Sequence, residues 1–131
     1  MTMRRYARVW LAAILVCSAV GGAGAEAPET VMITLHAKAG AEGELAQVIA
    51  RHWETARRLN MVRDTPHLTL RSAEGGQTDF VEIMTWRDAS LPDSAPPEIQ
   101  KIWAEMNRLV EKRGSAPGLS IVQMSIIGEK P

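Results

Sequence analysis

Residues 67–87 read HLTLRSAEGGQTDFVEIMTWR, and the way this stretch turns back on itself decides the architecture. Leu68 and Leu70 fall on one face of an extended chain, with His67, Thr69 and Arg71 on the other. Glu74-Gly75-Gly76-Gln77 has the residue types of a tight turn, after which TDFVEIMTWR (78–87) is extended again. Strand, turn and strand predict a β-hairpin.

Working outward, each arm of the hairpin meets a helical pattern. Before it, Leu45, Val48, Ile49, His52, Ala56 and Leu59 recur at helical spacing, opposite Glu44, Arg51, Glu54, Arg57 and Arg58. Gly40 and Gly43 bracket the entry, Asn60 closes the helix at about residue 60, and Pro66 prevents its continuation. After the hairpin, LPDSAPP (91–97) must be a loop, because its prolines remove donors and fix φ. Pro97 then opens a second helix with Ile99, Ile102, Trp103, Met106, Leu109 and Val110 along one side, and Gly114 is expected to end it.

The outermost segments are strands. VMITLHAK (31–38) alternates Val31, Ile33, Leu35 and Ala37 with polar or larger neighbours, and LSIVQMSII (119–127) is strongly apolar. The order β-α-β-β-α-β predicts an α+β, ferredoxin-like domain: a four-stranded antiparallel sheet with both helices on one face. Two helices cover only that face, so the other is solvated or meets a second subunit.

The first 25 residues carry a different signal. Arg4, Arg5 and Arg8 precede the apolar run VWLAAILVCSAV (9–20), and Ala23-Gly24-Ala25 forms a small-residue cleavage site. The run ends at Gly21-Gly22, too short to span a bilayer comfortably. Residues 1–25 are therefore read as a removable secretory signal, residues 26–131 as one domain, and the location as periplasmic or secreted, with no membrane association after cleavage. Val16 stands where a lipoprotein signal would need a small residue before Cys17, so lipidation is not expected.

Cleavage removes the only cysteine and three of the 15 Lys and Arg residues, leaving 12 against 15 Asp and Glu, a formal charge of −3. Disulfides and thiol chemistry are excluded from the remaining domain, and nucleic acid is a disfavoured partner. No Gly-rich phosphate loop, Gly-x-Ser-x-Gly elbow or Cys-x-x-Cys pair occurs.

The element order, the length and the FVEIMTW segment leading into a loop and amphipathic helix resemble the antibiotic-biosynthesis-monooxygenase-like group of the dimeric α/β-barrel superfamily. The resemblance covers nearly all of residues 30–128. It implies a homodimer paired through the open sheet faces, and a tryptophan at the end of the third strand, here Trp86, lining a cavity between sheet and helices. Haem-degrading relatives carry a histidine ligand on the second helix and an asparagine on the first strand. Here those stretches read IQKIWAEM, with Trp103 near the ligand position, and ITLHAK without asparagine, so that mechanism is not implied. No cofactor is expected.

Several residues are candidates for chemistry or binding. His52, on the apolar stripe of the first helix, is the candidate base, since a neutral imidazole takes a phenolic or enolic proton near neutral pH. The simpler role for it is a histidine at the stripe's edge hydrogen-bonded to backbone or water. Trp86 and Trp53 are candidate ligand walls, and Trp103 reads as core. Arg71 and Arg87 are candidates for holding an anionic intermediate.

His36 and His67 fall opposite Leu35 and Leu68, which would turn them toward a partner subunit. If Val81 and Ile83 face the helices, Phe80, Glu82, Met84 and Trp86 share the face of those histidines; a bulge near the strand end would re-aim Trp86. His36, His67 and Glu82 form no tight ligand motif, and no metal is expected. Two functions follow: a domain that binds a small planar hydrophobic molecule, as a cofactor-independent monooxygenase would, or a non-catalytic binding or structural homodimer.

Overall fold

The computed structural model describes residues 26–129, so the signal segment predicted for residues 1–25 lies outside the described residues. The elements follow in the expected order: β1 (Glu29–His36), α1 (Glu42–Arg58), β2 (Leu68–Glu74), β3 (Gln77–Trp86), α2 (Pro97–Leu109) and β4 (Leu119–Met124), with a single 3-10 turn at Leu91–Ser94 inside the proline-rich loop. The four strands form one antiparallel sheet in the order β2-β3-β1-β4. No helix among the described residues is long and apolar enough to cross a membrane.

The first helix ends where Asn60 implied. Asn60 takes the left-handed conformation (φ 57°), its N–H donates to Arg57 O, and Met61 N–H donates to Ala56 O. These paired bonds are the Schellman arrangement, which satisfies carbonyls left over at a helix end. The chain then runs along the end of β3: Val62 bridges to Trp86, and Arg63 and Arg87 donate backbone bonds to Thr85 and Met61 respectively.

The second helix stops earlier than Gly114. Val110 is extended and bridges to Ala37, while Lys38 N–H donates to Leu109 O and Glu111 N–H to His36 O. Pairing with the end of β1 gives Leu109 O and the Glu111 N–H backbone partners where the helix stops. Gly118 packs closely on this junction: a Cβ on it would lie 2.9 Å from Val110 Cγ2 and 3.0 Å from the Glu111 backbone.

Register sorts the sheet into two faces, because directly paired residues point the same way. Leu35 pairs with Phe80, Ile33 with Glu82 and Val31 with Met84. All six are buried, and this is the helix side. Leu45, Val48, Ile49 and Ala56 from α1 and Ile99, Ile102, Trp103, Met106 and Leu109 from α2 complete the core.

The same register overturns the orientation expected for the hairpin. Leu68 pairs with Ile83 and Leu70 with Val81, so both leucines lie on the open face, where each is about half exposed (51% and 52%). Thr69 pairs with Glu82 and Arg71 with Phe80, on the helix side. All of β2 is exposed, an edge strand on which neither face is closed over, so its leucines follow the pleat set by β3.

Candidate functional site

A carboxylate stands at the centre of the helix-side layer. Glu82 is mid-strand on β3 between Ile33 of β1 and Thr69 of β2, and it is 1% exposed. Its Oε1 lies 3.1 Å from His52 Nδ1 and its Oε2 lies 3.3 Å from His67 Nε2. His52 projects from α1, where the helical stripe that buries Val48, Ile49 and Ala56 also buries it. His67 comes from the residue before β2.

Hydrogen-bond roles follow from what each partner can do. The Trp103 indole N–H donates to His52 Nε2 at 3.0 Å, and an indole nitrogen only donates. His52 Nε2 is therefore an acceptor, the ring's proton is on Nδ1, and Nδ1–H donates to Glu82. Burial pushes the Glu82 carboxyl up, but the hydrogen bonds from His52 and His67, together with the electrostatic attraction of the two rings, outweigh it and hold the group below its ordinary value. An ionised carboxylate only accepts, so His67 donates from Nε2, with Thr69 Oγ1 at the long distance of 3.5 Å beside the same nitrogen.

Aromatic rings enclose this network. Trp86 and Trp103 meet edge to face at 6.4 Å (89°), and the His52 ring stands 6.4 Å from each. Trp53, one residue along α1 from His52, stacks flat on His67 with ring centroids 3.6 Å apart and planes 1° from parallel. Arg71, further along β2, carries its guanidinium 5.9 Å from the centre of the Phe80 ring.

The structure thus brings together His52, His67, Trp53 and Trp86 and leaves Arg71 at the rim, on the same side of the sheet. Trp86 lies on the helix side without any bulge, as the resemblance implied, but at 4% exposure it is packed between rings. His67 faces the helices, correcting its expected position toward a partner. His36 does lie on the open face: it bonds Asp79 Oδ1 at 2.7 Å, and Arg113 binds the same oxygen at 3.2 Å and Ala37 O at 3.0 Å. It therefore takes no part in the Glu82 network. Arg87 is exposed beyond the end of β3.

With His36 on the opposite face, the trio His36, His67 and Glu82 does not assemble, and no metal-holding cluster of three such residues occurs among the described residues. Sequence reading passed over Glu82 as a functional partner of His52. The one available signal was a glutamate within an otherwise buried strand pattern, FVEIM, which becomes meaningful once its face is known.

Comparison with solved structures connects this architecture to a group. Rv0793 from Mycobacterium tuberculosis superposes with a TM-score of 0.59 at 15% identity, over 80% of this chain and 100% of its own. In fold, the chain is α+β and ferredoxin-like, and these solved structures share that fold. A Bacteroides thetaiotaomicron protein described as a possible oxidoreductase matches with a TM-score of 0.57 at 10% identity, covering 76% of this chain and 100% of that one. A point variant of SnoaB, a cofactor-independent oxygenase from Streptomyces nogalater, matches with a TM-score of 0.56 at 18% identity, covering 79% of this chain and 97% of SnoaB. No protein-family model and no curated protein matches the sequence.

Proposed function

We propose that this monooxygenase-like domain takes a proton from a small, planar, weakly acidic compound such as a quinol or phenol, and that the resulting anion reacts with molecular oxygen without a cofactor. One observation carries this reading: an ionised Glu82, 1% exposed, clamped between two imidazoles inside a layer of tryptophans. Removing a carboxylate from water costs several kcal/mol, and apolar replacements of buried ionic groups are often as stable or more so. A fold that keeps such a group beside two bases suits proton transfer better than it suits stability. In the reaction, the substrate itself supplies the electrons: a ring C–H conjugated with the ionised oxygen becomes a carbonyl, so that a phenol becomes a quinone, one oxygen atom stays in the product and the other leaves as water. The shared fold with SnoaB supports this choice of chemistry.

The proposal extends to setting and assembly. The chain is secreted or periplasmic through residues 1–25, and it pairs with a second copy through the open sheet face, where Leu68, Leu70, Val122 and Met124 are exposed.

The test is oxygen uptake by purified, metal-free protein across a panel of quinols and phenols. Uptake that disappears in Glu82→Gln supports the reading, and no uptake with any of them ends it. A non-catalytic binding or structural homodimer is favoured by a different observation: both nitrogens of His52 are engaged and Trp86 is packed between rings. On that reading His52→Ala lowers stability and abolishes no activity, and native mass spectrometry of protein from its own host shows no co-purified molecule or an unreacted one.

A further inference from the structure

The two histidines on Glu82 are not equivalent. His52 is 1% exposed with Nδ1 committed to Glu82 and Nε2 to Trp103. The His67 side chain is 22% exposed and commits only Nε2; among the described residues, its Nδ1 has no hydrogen-bond partner. A neutral imidazole that donates from Nε2 keeps its lone pair on Nδ1. The unengaged basic nitrogen of the network therefore belongs to His67, at its outer edge.

The surroundings of His67 match that role. Trp53, flat against the ring, fixes its plane. The Glu82 carboxylate behind Nε2–H stabilises the imidazolium that forms when Nδ1 takes a proton, the arrangement by which a carboxylate assists an imidazole base. His52 donates to the other carboxylate oxygen and so orients Oε2 toward His67. Beside it on β2, Thr69 and Arg71 are exposed on the same side of the sheet, the side away from the open face.

We infer that His67, and not His52, is the proton acceptor, and that the substrate sits at the rim formed by Trp53, Thr69 and Arg71, with Glu82 and His52 as positioning residues. For its substrate class, a phenol or enol, this rests on the function proposed above. In the step, the substrate O–H bond breaks, an N–H bond forms at His67 Nδ1, and the electron pair stays on the substrate oxygen, whose negative charge the Arg71 guanidinium can face.

A test independent of oxygen chemistry uses 4-nitrophenol, whose phenolate absorbs visible light and whose phenol does not. At a pH where the free compound is mostly protonated, wild-type protein is expected to develop the phenolate band saturably. His67→Gln keeps a donor for Glu82 but has no basic nitrogen, and is expected to weaken the band about tenfold or more. His36→Gln, on the other face, keeps it. A second measurement needs no variant: diethyl pyrocarbonate acylates unprotonated imidazole nitrogens, and it is expected to modify His67 in the wild type, with 4-nitrophenol slowing that modification and not the one at His36. A band that survives in His67→Gln, a wild type that yields no band, or modification of His67 that 4-nitrophenol does not slow overturns the inference. A protein that ionises nitrophenol through His67 but consumes no oxygen with any quinol refutes the oxygenase reading and leaves His67 in its role.

Discussion

On the helix side of the sheet a glutamate is as buried as the leucines around it, whereas on the other side two leucines, a valine and a methionine stand 39% to 52% exposed. The same strands build both faces, and the ordinary rule of burial is broken on each in the opposite sense. Buried polarity needs partners on the spot, and the helix side supplies them from α1, α2 and the start of β2. Exposed apolar surface has no cover among the described residues, since both helices lie on the other face. One face is covered and electrostatically specialised; the other leaves its apolar side chains exposed.

That contrast breaks most readily at Glu82. Glu82→Ala leaves the Nδ1–H of His52 without its acceptor and opens a gap, and should lower unfolding free energy by about 3–5 kcal/mol in urea melts. Glu82→Gln, close in shape, should lose clearly less. If alanine is tolerated as well as glutamine, the network does not hold the layer together.

The open face gives the next largest effect. On the pairing proposed above, Leu70→Asp should weaken self-association by about 2 kcal/mol, roughly thirtyfold, in sedimentation equilibrium, while leaving the unfolding of the monomer nearly unchanged. An equal effect on folding and on assembly would mean that Leu70 is part of the monomer's own core.

Trp103→Phe tests the far end of the network. It removes the donor to His52 Nε2 while keeping an aromatic ring, and a loss of about 1–2 kcal/mol is expected.

Acid should distinguish the faces more gently. The folded carboxyl of Glu82 titrates below its unfolded value, so its contribution is fully present above the unfolded value and is lost as pH falls through the folded one. Stability of the wild type should therefore decline with acidification below the ordinary glutamate range, and Glu82→Gln should decline less steeply over the same window. Parallel slopes for the two proteins would remove Glu82 from the account.

Much of this was legible beforehand. The period-two and helical patterns located the four strands and both α-helices, and Asn60 marked the end of α1. His52 was recognisable because helical spacing assigns a residue to a stripe, and a stripe has only one place to be buried. Its partner was not, because Glu82 is 30 residues away along the chain and on a different element.

Strand β3 shows why. Phe80, Met84 and Trp86 alternate with Val81 and Ile83, so apolar residues occupy both faces and alternation alone carries no phase. The phase came from β1, whose Val31, Ile33 and Leu35 pair with Met84, Glu82 and Phe80. Fixing β3 then fixed β2 through the hairpin, turning Leu68 and Leu70 outward and His67 inward.

The amino-acid pattern by itself determined the order of strands and helices and the burial of His52, because those follow from spacing within single elements. Which side of the sheet Glu82, His67 and Trp86 occupy was decided only by the pairing of strands and the docking of helices. Local periodicity repeats identically on both faces of a pleated strand, and nothing short of a neighbouring strand or helix can break that symmetry.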